Sequence, residues 1–285
     1  MTPRRTFLGA AGAASALALL ARGLHAAWPG TRTGTDRIPR IGLQLYTVRS
    51  EMERSVEQTI AAVAGAGYKE VEFAGYFGRD PAALRALLDR HGLTAPSAHV
   101  GQEALERDWK AQAAMARTMG HRTLIVASSD RARMPLVDDW KAFARRFNEI
   151  GRRAAGDGLR FGFHNHSGEF PPIGGTVPYD VLLGETDPAL VDFEMDLYWT
   201  LKAGADPLTY FARYPGRFTC VHVKDGGPPP AFAMRDVGAG TVNWKRIFAR
   251  HAQAGIEHYF VEHDEPADPI ASITASARYL AALTF

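Results

Sequence analysis

The chain has 285 residues, 46% of them hydrophobic and 22% charged, with a formal net charge of +2. This composition is typical of a globular protein with one large α/β domain or two small ones. No basic patch interleaved with aromatic residues follows the first 26 residues, which argues against nucleic acid as a partner. Cys220 is the single cysteine, so an intramolecular disulfide is excluded, and we interpret its thiol as core filling rather than as a nucleophile.

Residues 1–26 differ from the rest of the chain. Arg4 and Arg5 precede an apolar run from Leu8 to Leu20, and small residues lead to a cleavage point after Ala26. The stretch RRTFL predicts a twin-arginine signal peptide, hence the twin-arginine export machinery as a partner and a periplasmic location. An ordinary secretory signal or a membrane anchor is the alternative, although the run is short for a membrane span. The segment carries three arginines and no acid, so taking those charges from +2 leaves −1 for the rest.

Residues 27–40 form a polar tether, and residues 41–285 then alternate between short strand-like runs and longer helical ones. The predicted strands are 41–47, 69–75, 95–101, 123–128, 160–166, 191–199, 218–225 and 258–264. The predicted helices are 56–66, 81–91, 103–119, 139–156, 179–183 and onward, 207–213, 244–254 and 269–283. Asp80 and Asp268 are the expected N-caps of two of these helices.

A helix follows every predicted strand. Eight such units in about 250 residues predict a single (β/α)8 TIM barrel of the α/β class, with an open doubly wound sheet as the alternative. No linker to a second domain and no low-complexity segment interrupts residues 41–285. The tripeptide Pro228-Pro229-Pro230 after the seventh strand is a candidate lid or dimer contact, and an oligomer stays open; we interpret it as a rigid loop.

Alternation along the strands separates an apolar face from a polar one. In a parallel barrel the outward face packs under helices, while inward side chains near the carboxyl ends can form a site. The apolar side carries Leu43, Leu45, Val71, Phe73, Ala98, Val100, Phe161, Phe163, Phe193, Met195, Val221, Val223, Tyr259 and Val261. The other side carries Gln44, Tyr46, Glu70, Glu72, Ser97, His99, His164, His166, Glu194, Asp196, Cys220, His222, Lys224, Glu262 and Asp264. The fourth strand adds no charged group and is expected to form only part of the barrel wall.

So many ionisable groups facing one cavity cannot all stay charged and unpaired, because each would cost several kcal/mol to desolvate. A divalent cation removes that cost. Imidazole and carboxylate donors without thiolate suit Mn, Co, Zn, Fe or Mg. The alternative is a set of structural ion pairs such as Lys224 with Glu262.

Several motifs together resemble the sugar phosphate isomerase/epimerase group of xylose isomerase-like barrels, a superfamily that also includes inosose dehydratases and endonuclease IV. The motifs are GLQLYTVR (42–49), FHNHSGEF (163–170), MDLYW (195–199), HVKD (222–225), VGAGTVNW (237–244) and VEHD (261–264). The resemblance spans residues 41–285. It is specific for the superfamily and not for a substrate.

The resemblance implies one divalent metal ion held from strands five to eight. Asp196, His222 and Glu262 match three of the family's ligands. The remaining ligand of the family is a glutamate on the fifth strand, and this chain has His164 at that position. His164 is the ligand that we favour; Glu169 reaching back from the loop, or three protein ligands plus water, are the alternatives. If the protein folds before export, the metal is loaded in the cytosol, which favours Mn.

The resemblance also implies chemistry at a carbon next to a carbonyl, with an isomerase or epimerase as the main expectation and a lyase or dehydratase as the alternative. The expected bases are Glu262 and His166, and Lys224 is expected to stabilise a developing oxyanion. The expected substrate contacts are Gln44, Tyr46, Glu72, His99, Asn165, Trp199 and Arg235. Because phosphorylated sugars are chiefly cytosolic, an exported enzyme is expected to act on a free small-molecule carbohydrate, a cyclitol or an oxidised glycoside such as a 3-keto-sugar.

Two other classes remain open from the sequence. A catalytically inert sugar-binding barrel is suggested by the altered fifth-strand ligand. A nuclease of the endonuclease IV branch shares His99 and the other matched ligands, but Trp199 stands where that branch has a further histidine ligand.

Overall fold

The computed structural model describes residues 35–285, where eight parallel strands close into a barrel. The strands are β1 Ile41–Gln44, β2 Glu70–Phe73, β3 Thr94–His99, β4 Thr123–Val126, β5 Arg160–His164, β6 Val191–Asp196, β7 Phe218–Val223 and β8 His258–Val261. Neighbours pair in sequence order, and β1 closes the barrel against β8. The predicted (β/α)8 fold is confirmed, and the open sheet is excluded. The predicted signal peptide at 1–26 and most of the tether at 27–40 lie outside the described residues.

Helices connect the strands on the outside of the barrel. They are α1 Arg49–Arg54, α2 Val56–Gly65, α3 Pro81–Arg90, α4 Gln102–Arg107, α5 Trp109–Met119, α6 Val137–Gly156, α7 Pro178–Glu185, α8 Leu197–Lys202, α9 Pro207–Arg213, α10 Trp244–Phe248, α11 His251–Ala254 and α12 Pro269–Ala282. Asp80 and Asp268 cap α3 and α12 by accepting from Ala83 N (2.9 Å) and Ala271 N (3.0 Å), as predicted. Within residues 35–285 no helix is long and apolar enough to cross a membrane.

Several predicted elements are wrong in extent, and two of them share a physical reason. The helix expected over 103–119 breaks at Asp108, whose side chain accepts from Ala111 N (3.1 Å) and starts α5. The strand expected over 191–199 ends at Asp196, whose Oδ1 accepts from Trp199 N (2.9 Å) and starts α8. In both places an aspartate bonds to the backbone and caps a new helix instead of continuing the element.

The apolar face of the strands packs under the helices, as the alternation predicts. Outward residues such as Leu43, Phe163 and Val221 are buried in the main hydrophobic core. A separate buried cluster of Ile125, Cys220 and Phe260 lies apart from that core. Cys220 and Phe260 share parity with His222 and Glu262, so this cluster forms an apolar floor beneath the polar inward residues. Cys220 is therefore core filling, as predicted.

Glu70 shares parity with Glu72 but lies at the opposite end of the barrel. Its carboxylate is 2.9 Å from Arg40 Nε and 2.7 Å from His258 Nδ1. It belongs to an ion-pair network below the floor and not to the polar cluster at the carboxyl ends. Inward parity alone does not place a residue in the site, because the barrel has two ends.

The segment after β7 folds back as a ribbon in which Asp225–Gly226 pairs antiparallel with Met234–Arg235. Asp225 anchors this segment because its buried carboxylate accepts from four donors. They are Gly226 N (2.9 Å), Gly238 N (2.9 Å), Val242 N (3.2 Å) and Trp244 Nε1 (3.0 Å). The Pro228–Pro230 stretch lies within this anchored loop.

His121 packs outside the barrel as a neutral, hydrogen-bonded imidazole. Its Nδ1 lies 2.7 Å from Ala95 O and its Nε2 lies 3.1 Å from Tyr76 Oη. Because the carbonyl only accepts, Nδ1 carries the proton and Nε2 accepts from the phenol. Burial lowers the pKa of His121 to about 4.

The lowered pKa predicts an acid-sensitive contribution to stability. Below pH 6.5 the unfolded chain protonates His121 and the folded protein does not, so stability falls until about pH 4. The shift corresponds to about 3 kcal/mol. Urea unfolding of wild type and His121→Gln between pH 7.5 and 4 should therefore show wild type losing about that much relative to the variant. The partly exposed His91→Gln serves as the control, and parallel curves for wild type and His121→Gln would contradict the assignment.

Candidate metal centre and active site

Polar side chains on, or directly after, seven of the eight barrel strands meet at the carboxyl ends of those strands. Parallel strands place these ends at one mouth, and the inward parity selects the same face of each. The buried members are Gln44, Glu72, Ser97, His164, Asn165, Glu194, Asp196, His222, Lys224 and Glu262. His99 adds a side chain that is 13% exposed.

His222 lies at the centre of this cluster and is completely buried. Its Nδ1 is 2.7 Å from Glu262 Oε2 and 4.0 Å from Asp196 Oδ2. Its Nε2 is 2.8 Å from Glu72 Oε2 and 3.2 Å from Glu194 Oε2. One imidazole therefore connects two pairs of carboxylates, one toward the mouth and one inside.

Asp196, His222 and Glu262 form what we call the outer group, whose ligand atoms lie within 4.8 Å of one another. Asp196 Oδ2 is buried and makes no well-oriented hydrogen bond, although Lys224 Nζ is 3.0 Å away. Two carboxylates and an imidazole with an under-used oxygen are a donor set that fits a divalent cation.

The inner group of His99, His164, Glu194 and His222 also has ligand atoms within 4.8 Å of one another. Glu194 Oε2 is 2.7 Å from His99 Nε2 and 3.0 Å from His164 Nδ1, while Glu194 Oε1 has no hydrogen-bond partner among the described residues. A metal-ligating histidine commonly donates its second ring N–H to a carboxylate. Glu72 and Glu194 can serve His222 in that way.

Glu72 is itself held from two sides. Gln44 Nε2 donates to its Oε2 at 2.8 Å, and Ser97 Oγ donates to its Oε1 at 2.5 Å. Gln44 Oε1 in turn accepts from Tyr46 N (3.1 Å). The inner carboxylate is therefore fixed in position before any ligand binds.

The pKa values follow from this excess of carboxylate. Burial lowers the pKa of His222, but Glu194 and Glu262 outweigh burial and raise it well above its ordinary value. The pKa of His99 is raised to about 9 by Glu72 and Glu194 against burial. Burial, then His222, lowers the pKa of His164 well below its ordinary value. Without a metal, protons on His222 and His99 supply the positive charge that the cluster needs.

The carboxylates of the outer group differ in basicity. Burial raises the pKa of Asp196 to about 6, despite the nearby Lys224. Burial also raises the pKa of Glu262, but Lys224 and His222 hold it well below its ordinary value. Lys224 Nζ lies 2.7 Å from Glu262 Oε2 and 2.8 Å from Asp264 Oδ1. Lys224 is thus a fixed cation at the edge of the outer group.

The structure brings together three of the four predicted metal ligands, Asp196, His222 and Glu262, in the outer group. His164, the fourth, belongs to the inner group, where its Nδ1 lies 3.0 Å from Glu194 Oε2, and its Nε2 lies 3.7 Å from Asp196 Oδ2 of the outer group. Glu169, the alternative ligand, lies in neither group. Its carboxylate accepts from Ser129 Oγ and from His166 N.

A cavity of about 580 Å³ opens above the outer group. Six residues with a predicted role line it, five of them being Tyr46, His99, His166, Lys224 and Glu262, and Asp264 and Glu265 line it too. His164 lines it as well. Burial and the neighbouring Lys224 lower the pKa of His166. The predicted bases and the predicted oxyanion contact therefore face one space.

Five predicted substrate contacts do not line this cavity. Gln44, Glu72 and Asn165 are fully buried and bond to other site residues, a position from which they support those residues. Asn165 Oδ1 accepts from Asp196 N at 3.1 Å. Trp199 borders a neighbouring cavity, and Arg235 is exposed on the ribbon. The alternation predicts which face of a strand a residue lies on but not its height along the barrel axis. Arg235 lies outside the barrel strands, in the ribbon.

The structure adds Glu194 and Asp264 to the site. Both stood on the inward side in the sequence, Glu194 two residues before Asp196 and Asp264 two residues after Glu262. Glu194 contacts three histidines, His99, His164 and His222. The alternation pattern placed both residues on the inward face of their strands. Only the packing shows which inward carboxylates contact the imidazoles.

The chain matches the model of the xylose isomerase-like TIM barrel family over residues 60–283, and it belongs to that family. An inosose dehydratase of Lacticaseibacillus casei is 28% identical over 210 residues, 67% of each chain. An inosose dehydratase of Clostridium botulinum is 25% identical over 249 residues, 80% of each chain. A solved sugar phosphate isomerase/epimerase of Parabacteroides distasonis is 26% identical with a TM-score of 0.75, covering 90% of this chain and 97% of that one. The resemblance drawn from the motifs is confirmed.

Metal analysis tests the outer group directly. We expect one divalent ion per chain in protein purified without chelator, and loss of the ion in His222→Ala, because that change removes the central donor. His164→Asn should weaken metal binding by about 10- to 100-fold if His164 is a ligand or orients one. Glu169→Gln is the matched comparison and should change binding little, since its carboxylate contacts Ser129 and His166 N. A larger loss of metal binding in Glu169→Gln than in His164→Asn would indicate that Glu169 is the ligand.

Proposed function

We propose that the protein is a divalent-metal-dependent lyase that eliminates a β-substituent, water in the simplest case, from a keto-cyclitol or keto-sugar. The observation that carries the proposal is a cavity lined by His166, Lys224 and Glu262, with the buried Asp196 and His222 next to Glu262, in a chain similar to inosose dehydratases. Isomerisation or epimerisation was the main expectation from the sequence. The named relatives favour its lyase alternative instead.

Asp196, His222 and Glu262 would hold the metal, with His164 next to them, and manganese is the ion that we propose. When bound, the metal supplies a Lewis acid that polarises the substrate carbonyl and makes the neighbouring carbon acidic. Glu72 and Glu194 keep His222 oriented with Nδ1 toward Asp196 and Glu262.

The chain's own residues then move the protons. A ring nitrogen of His166, or the carboxylate of Glu262, takes the proton from the carbon next to the carbonyl. The C–H electron pair forms a C=C bond as the C–O bond at the β carbon breaks. The departing oxygen takes a proton and leaves as water. Lys224 Nζ supplies fixed positive charge beside the developing oxyanion.

Proton exchange distinguishes the lyase from its alternatives. Manganese-loaded protein given an inosose in deuterated water should release dehydrated product, and His166→Asn should lower that rate by about 10²- to 10⁴-fold with metal content unchanged. His251→Asn, remote from the cavity, is the control. Deuterium in recovered substrate without dehydration would support an isomerase or epimerase. If neither deuterium exchange nor dehydrated product is detected, the result would support the inert sugar-binding barrel.

We also propose that the protein is exported through the twin-arginine route and acts on an unphosphorylated substrate in the periplasm. The export proposal rests on the RRTFL stretch. The substrate proposal has independent support, since among the described residues no arginine lines the cavity. Its one lysine, Lys224, is already held by three carboxylates, so a phosphate would lack a free cationic partner.

Export can be tested with residues 1–40 fused to a reporter that is active only when it folds before crossing the membrane. Replacing Arg4 and Arg5 together by Lys should abolish periplasmic reporter activity, because the twin-arginine pattern is read as a pair. Arg22→Lys is the control with the same chemistry outside the pair. Periplasmic activity that survives the double change would contradict the twin-arginine assignment.

A further inference from the structure

A second cavity of about 420 Å³ borders the catalytic one, and we call it the outer cavity. It is lined by Tyr198, Trp199, Lys202, Ala233, Met234, His263, Asp264 and Glu265. Asp264 and Glu265 line both cavities. The two cavities are therefore neighbours that share this pair of side chains.

Trp199 stands at the boundary between the two spaces. Its ring is 5.8 Å from the His166 ring, and Lys224 Nζ lies 5.7 Å from its ring centre on the catalytic side. Lys202 Nζ, which lines the outer cavity, lies 4.9 Å from the same ring centre. The indole thus contacts residues of both cavities.

The outer cavity is built before a ligand arrives. The ring of Tyr198 stacks on Phe232 at 5.2 Å, and its hydroxyl donates to Phe232 O at 2.8 Å. Lys202 Nζ donates to the same hydroxyl at 3.1 Å. Asp264 N lies 3.2 Å from Met234 Sδ. These contacts fix the loop that forms one wall of the cavity.

The lining matches the surface of a sugar ring or a similar hydroxylated ring. The half-buried Trp199 offers an aromatic surface to the apolar C–H face, while Lys202, His263 and Glu265 offer charged or polar groups to hydroxyls. A substrate with two linked rings would fill both cavities.

We propose that the outer cavity binds a second ring joined through oxygen to the ring that reacts, so that the substrate is an oxidised glycoside. This inference rests on the proposed lyase function. The base removes the proton next to the carbonyl, the C–H pair becomes a C=C bond, and the C–O bond to the second ring breaks. That oxygen takes a proton and leaves as an alcohol. Since the leaving group must be β to the carbonyl, loss from the anomeric carbon requires the carbonyl at carbon 3.

Matched substrates test the proposal. The 3-keto derivative of cellobiose and methyl 3-keto-glucoside share the reacting ring and an alkyl leaving oxygen, but only the first has a second ring. With manganese-loaded protein we expect kcat/KM to be about tenfold or more higher for the two-ring compound. Equal values for both compounds would overturn the proposal.

Filling the outer cavity should remove the difference. Ala233→Trp is expected to raise KM for the two-ring compound about tenfold and leave methyl 3-keto-glucoside nearly unchanged. Ala231→Trp, exposed on the same loop and outside the lining, is the control. Lys202→Met should act in the same direction without added bulk, against Lys245→Met as its control. Equal effects on both substrates would overturn the proposal.

Binding of unreactive ligands separates this inference from the proposed function. Calorimetry with cellobiose and methyl glucoside, neither of which carries a ketone, should show tighter binding of the two-ring ligand and loss of that preference in Ala233→Trp. This result, together with no turnover of any keto compound, would refute the lyase and keep the two-ring site. Turnover of an inosose without any two-ring preference would keep the lyase and refute the outer cavity as a substrate site.

Discussion

The site depends on a surplus of buried carboxylates around one imidazole. Glu72, Glu194, Asp196 and Glu262 are all buried within reach of His222. Desolvating each charge costs several kcal/mol unless opposite charge compensates it. A proton on His222 supplies part of that positive charge. A divalent ion would supply more, and His222 could bind it through Nδ1. The apolar floor below the cluster increases the need for compensating positive charge, because it offers the buried carboxylates no solvation.

Asp196 has two roles, because it caps a helix and also belongs to the outer group. Asp196 ends β6, caps α8 through Oδ1 and leaves Oδ2 for the outer group. Asn165 accepts from Asp196 N, and Thr200 Oγ1 donates to Asp196 O at 2.7 Å. The carboxylate is therefore held at a defined height by its own helix. Such support limits reorganisation when a ligand or a substrate arrives.

Much of the fold and part of the site could be predicted from the sequence because both follow from the two-residue repeat of a strand. That repeat identified the eight strands, the inward face and the cluster around His222. It could not tell Glu70 from Glu72, since strand periodicity carries no information about depth in the barrel. Nor could it show that Gln44 supports Glu72 instead of a substrate, or that Glu194 contacts three histidines. Those distinctions arise from packing between strands that are distant in sequence.

Asp264 contacts Lys224 and lines both cavities. It neutralises Lys224 from the cavity side, so that the lysine is drawn by Asp196 and Glu262 below and by Asp264 above. The same carboxylate lines both cavities. A ligand that spans the boundary must therefore contact the residue that holds Lys224 in place. In the proposed reaction, recognition of a second ring and the position of the cation beside the reacting carbon would be coupled through this one side chain, as expected when remote binding energy is used at the reacting centre.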